Sequence, residues 1–176
     1  MVVPIYILLG AGGHLLKQDF VPNHWVSRLD LHANDPVLFQ QDVEQLMADR
    51  PNIKGLKRLM CSQLLSLNAY SQAQQCFAEI YEQDSLVMDL KQLGLAYLSS
   101  GSSIPRRYLS PMMEALKQTP KDLELLYMIT RIHYDAQHWS NVKLLTQLLT
   151  QLMPADHPAM PMVIEMAFAA KNGLQV

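Results

Sequence analysis

The sequence predicts an all-α fold: a helical solenoid of about three helix pairs with flanking helices. Three observations lead there. Gly is scarce at 7 of 176 residues, Leu and Met are plentiful, and β-branched runs are rare, a balance that favours helices over strands. Four segments then share one spacing. Phe39, Val43 and Leu46 lead to Pro51; Ala73, Phe77 and Ile80 to Ser85; Tyr108, Met112 and Ala115 to Pro120; Val142, Thr146 and Leu149 to Pro154, each at offsets 0, 4, 7 and 12. Finally, the first members of these sets are 34, 35 and 34 residues apart. A fixed period of that length marks stacked units, each too small to bury its apolar face alone.

The elements follow in order. Residues 1–36 form an apolar N-terminal segment and linker, and residues 37–176 the helical repeat domain. "VVPIYILLGAGGHLL" is apolar for about 15 residues, shorter than the ~20 a spanning helix needs. It reads as an edge strand, a buried segment or the remnant of a membrane anchor. "GAGGHLLKQ" lacks the closing Lys-Ser/Thr of a phosphate loop. The turn-rich "DLHANDP" at 30–36 closes the linker.

A lone helix is expected near Val37–Arg50, then helix pairs near Lys54–Tyr81, Val87–Gln118 and Leu123–Met153, and a capping helix from Ala159 to Lys171. Offsets 0, 4 and 7 put three side chains on one helical face, and the proline beyond them stops the helix. The first helices carry a second pattern at offsets 0, 1 and 4: Met60, Cys61 and Leu64; Leu93, Gly94 and Tyr97; Ile129, Thr130 and His133. A small residue in its middle lets the partner helix approach, and Ala73 is expected to face Cys61. The turn of the middle pair is lengthened by "SSGSSIPRR", and Tyr70 and Trp139 close the other two turns.

This period, the helix-turn-helix units, the small residues and the closing prolines resemble the tetratricopeptide repeat. Gly94 and Ala73 fill its small-residue slots, and Thr130, Cys61, Tyr108 and Val142 are substitutes. The apolar start ending "YILLG", the lone helix "DVEQLMADRPNIKGLKRL", the stretched middle turn and the ending "WSNVKLLTQLLTQLMPADHPAMPMVIEMA" look together like the tetratricopeptide-repeat subunits of bacterial cytochrome c maturation, the CcmI/NrfG type. The resemblance covers about Ile5 to Ala170. It implies a binding protein, not an enzyme: one that holds the apocytochrome c, or a haem lyase subunit peptide, while haem is attached elsewhere. It also implies a periplasmic, membrane-associated location, with the cytoplasm as the alternative. A general repeat scaffold or assembly factor, for a pilus or secretion complex, is the alternative function.

The remaining chemistry is sparse. The net charge of -2 and pI of about 6.3 argue against nucleic acid, which needs a basic face. No HExxH, CxxCH, nucleophile–base pair or paired carboxylates occur, so no catalytic residue, metal site or cofactor is assigned. Cys61 and Cys76 read first as small buried apolar residues; a disulfide between them would require an oxidising compartment. His133 occupies a packing slot and reads as a core histidine. His138 lies in the turn, five residues on, so the two do not share a helical face as a metal pair would. His14, His24, His32 and His157 fall in loop-like segments.

A peptide groove is expected along the concave surface made by the first helices. Its candidates are Arg58 and Leu65 in the first pair, Lys91, Leu95 and Leu98 in the second, and Tyr127, Arg131 and Tyr134 in the third. Apolar and aromatic surface with three cations suits an amphipathic segment ending in a carboxylate. Packing of Leu95, Leu98 and Tyr134 against the neighbouring pair is the competing reading.

Overall fold

A computed structural model of the chain describes residues 2–4, 20–22, 28–29, 31–49 and 55–173. The chain divides into two compact units, Met1–Ser85 and Leu86–Val176. From Pro36 onward every regular element among the described residues is helical, in keeping with the all-α expectation. The phosphate-loop-like stretch, His14 and His24 lie outside the described residues.

In the first unit, strands β1 (Val2–Pro4) and β2 (Phe20–Pro22) pair antiparallel, Val3 opposite Val21. Helix α1 (Pro36–Asp49) starts where Asp35 Oδ1 accepts the N–H groups of Val37 and Leu38, both at 3.0 Å, and Pro36 presets the first turn. Its buried Asp42 receives Arg28 Nε at 2.6 Å and His32 Nδ1 at 2.5 Å, so the chain before α1 is tied to the helix. Helix α2 (Leu56–Ser66) follows Gly55, whose φ of 87° needs the freedom of a glycine. Asn68, with φ 60°, turns the chain into α3 (Tyr70–Asp84).

Cys61 of α2 and Cys76 of α3 form a disulfide with Cα atoms 5.5 Å apart. This corrects the reading of two unlinked apolar cysteines. Both helices direct their buried faces at one another, and the pairing brings two residues 15 apart in sequence within bridging range. Cys61 therefore bonds to Cys76, one turn beyond the fully buried Ala73.

The second unit contains α4 (Val87–Ser99), a 3-10 turn (Arg106–Tyr108), α5 (Leu109–Gln118), α6 (Leu123–Asp135), α7 (Trp139–Leu152) and α8 (Met160–Gly173). In the lengthened turn after α4, Ile104 within "SSGSSIPRR" and Tyr108 just after it are buried, which anchors its second half. Asp122 caps α6 by accepting the N–H groups of Glu124 and Leu125, both at 3.1 Å. Gly94 of α4 packs so closely that a methyl group there would press into the Met128 side chain of α6 and lie 3.3 Å from Met112 Cε of α5. Leu126, Val142, Leu149, Met153, Val163, Met166 and Ala170 form the core that α6, α7 and α8 share.

All twelve positions of the repeat template are buried, from Phe39, Val43 and Leu46 to Val142, Thr146 and Leu149. Thr146 fits this apolar seam because its hydroxyl donates to the carbonyl of Val142 at 2.8 Å. Ser85 stands where the other segments have proline, and ends α3 in the left-handed region with φ 53°.

Candidate functional site

The expected groove residues fall in both units. In the first, Arg58 pairs with Asp84, and Leu65 is half-buried on α2. In the second, Lys91 joins α4 to the start of α6 through Asp122, at 3.0 Å, and Glu124. Burial opposes the Lys91 ammonium, but these two carboxylates outweigh it and hold its pKa above the ordinary 10.5. Leu95 is exposed and Leu98 half-buried on the same helix.

Tyr127, Arg131 and Tyr134 share one face of α6, as their spacing requires. That face meets the core around α8. Tyr127 and Tyr134 pack against the shared cluster, and Arg131 Nη1 lies 3.5 Å from Met162 Sδ. Burial raises the Tyr127 pKa above 10.0. The Arg131 guanidinium sits 5.7 Å from the Tyr134 ring centre and reaches Asp135 only at 3.5 Å. Its Nε is buried and has no hydrogen-bond partner among the described residues. Tyr134 in turn meets Trp139 edge-on at 5.8 Å, so the aromatic closing this turn does cover the end of the helix pair.

A different face of α6, roughly a third of the way round the helix, carries a feature the spacing argument missed. There Leu126, Ile129 and His133 floor a groove of about 500 Å³ walled by α5 and α7. Met113 and Leu116 come from α5, and Leu144, Leu145 and Leu148 from α7. Leu144 is 66% exposed and Met113 46%. An open apolar groove of this size with exposed leucines on its rim is the surface type that binds apolar ligands or partner chains. The signal was present in α7: Leu144 and Leu148 form an i, i+4 pair beside the buried Val142, Thr146 and Leu149 stripe.

His133 is buried, as its packing slot requires. Yet the structure brings it to His138, Nδ1 to Nδ1 at 3.2 Å, with Asn141 Nδ2 at 3.3 Å from His133 Nδ1. His138 lies in the turn after α6, off that helix's face, as the spacing argument expects. Gln137, with φ 57°, reverses the chain and folds His138 back over the helix end. Among the described residues no group of three or more His, Cys, Asp or Glu side chains could hold a metal ion. None of the described helices is long and apolar enough to cross a membrane. No protein-family model and no curated protein matches the chain.

Proposed function

We propose that this chain is a peptide-binding tetratricopeptide-repeat-like protein that assists c-type cytochrome biogenesis by holding an apocytochrome or a haem lyase partner. The observation that carries the binding role is the apolar groove of α5, α6 and α7, whose rim leucines stay exposed in the folded unit. A helical domain gains nothing in stability from such surface, whereas the apolar side of a partner segment would bury it. The twelve buried template positions support the repeat reading, and the sequence resemblance supplies the partner class. The Cys61–Cys76 disulfide supports an oxidising compartment, consistent with the periplasm.

A second surface has its own support. The Arg131 guanidinium, partly exposed and only 3.5 Å from Asp135, favours a carboxylate contact on that face of α6. Titration calorimetry with an apocytochrome C-terminal peptide, free and amidated, separates the two surfaces. Leu144→Glu is expected to weaken both peptides about tenfold or more by placing a charge against the apolar segment. Arg131→Ala is expected to weaken the free-acid peptide by roughly 1.5–3 kcal/mol and the amidated one little. Equal losses for both peptides would show that Arg131 does not read the carboxylate. Absence of binding by either peptide would leave the general scaffold as the better reading.

A further inference from the structure

The histidine pair bears on the groove. His133 and Asn141 both line it, and His138 stands behind them at the turn between α6 and α7. The two rings are 5.5 Å apart centre to centre while their Nδ1 atoms are 3.2 Å apart. The difference is taken up by the two ring radii, so the nitrogens face each other head-on along the line of centres. Head-on nitrogens accommodate one proton between them. They leave no room for a bridging metal ion, which would need its ligands to converge from an angle.

The third partner bears on which ring holds that proton. With its amide nitrogen turned to the ring, Asn141 can only donate; His133 Nδ1 then accepts, and in the matching tautomer His138 Nδ1–H is the second donor aimed at it. A proton arriving at His133 Nδ1 would therefore face the Asn141 donor and break that contact, while His138 keeps its own only by moving its proton to Nε2. The other charged groups around His133 do not compensate. Arg106, in the 3-10 turn, acts on it with like charge, and Lys117 of α5 lines the same groove but is paired with Glu114 at 2.7 Å. The described groove lining holds no carboxylate.

We propose that this pair makes the groove proton-gated: with His133 neutral its wall binds apolar segments, and one proton taken up at His133 Nδ1 breaks the contact to Asn141, charges the wall and releases the ligand. The inference rests on the groove being a binding surface. Burial first, then the charges of His138 and Arg106, push the His133 pKa below its ordinary 6.5, so release belongs to mildly acidic water. Protonation linked one-to-one to release weakens binding by up to about tenfold per pH unit below that pKa.

The neutral dye N-phenyl-1-naphthylamine, titrated by fluorescence between about pH 7.5 and 5, reads this directly in a range that spans the imidazole transition. In the unmodified protein its affinity is expected to fall on the order of tenfold across that range. His133→Gln cannot take up the proton and should bind with a flat pH profile, whatever its affinity at neutral pH. His138→Gln removes a charge that opposes protonation, and should move the loss of binding to higher pH. Leu144→Glu should abolish dye binding throughout. A flat profile in the unmodified protein, with Leu144→Glu still abolishing binding, overturns the gate and leaves the groove. Dye binding unaffected by Leu144→Glu overturns the groove reading and the gate with it.

Discussion

Reducing the Cys61–Cys76 disulfide is expected to destabilise the Met1–Ser85 unit by about 3 kcal/mol, the loop-closure value for a cross-link spanning some 15 residues. The bond joins α2 to α3, whose buried residues include Leu59, Met60 and Leu64 on one helix and Ala73, Phe77 and Ile80 on the other. Reduction leaves that packing in place but frees the unfolded chain, so the native unit loses its entropic advantage. In a unit of this size the midpoint should fall on the order of 10–20 °C. Circular dichroism melts with and without a phosphine reductant measure it, with a Cys61→Ala/Cys76→Ala variant as the control that reductant should not affect. Identical melts of the unmodified protein in both conditions would mean that the cysteines are not bonded, and the support for an oxidising compartment would go with them.

Gly94→Leu is expected to cost the second unit about 3 kcal/mol, at the upper end of the range for overpacking. Its added carbons would enter space occupied by the Met128 side chain, whose Cε already lies 3.1 Å from where a Cβ would stand, and by Met112 Cε. Gly94→Ala should behave differently. A methionine end can swing aside for one methyl group, and alanine gains roughly 1 kcal/mol of helix propensity over glycine, so near-neutral stability is expected. Urea unfolding of the two variants makes the comparison. Native-like stability for the leucine variant would show that α4 does not pack against α5 and α6 through this glycine.

What the sequence revealed, and what it hid, follows from the range of the interactions involved. Phe39, Val43 and Leu46, and their equivalents in the other three segments, were legible because helical periodicity alone puts them on one face, and burial follows for any helix with a neighbour. Gly94 was legible for a related reason: a missing side chain amid an apolar helix implies close approach. The disulfide was hidden because its spacing has no local signature; it depends on the angle and register of α2 against α3. The His133–His138 contact was hidden because placing His138 in the turn says nothing of where the turn carries it, and the left-handed Gln137 folds it back to His133. The groove was hidden because Leu144 and Leu148 look like ordinary core leucines until α5 and α6 are seen to leave them uncovered. Spacing alone puts Tyr127, Arg131 and Tyr134 on one helical face, but only the structure places Met162 of α8 against it.

Amide chemical shifts of 15N-labelled protein, followed while an apocytochrome C-terminal peptide is added at neutral pH, test the binding groove most directly. The largest changes are expected at Met113, Leu116, Ile129, Asn141, Leu144 and Leu148, the residues that wall and floor it. The α1–α3 helices should change little. Saturating shifts confined to that set would locate the partner between α5 and α7. Shifts centred instead on the Tyr127, Arg131 and Tyr134 face, or on the first unit, would contradict the groove as the binding surface.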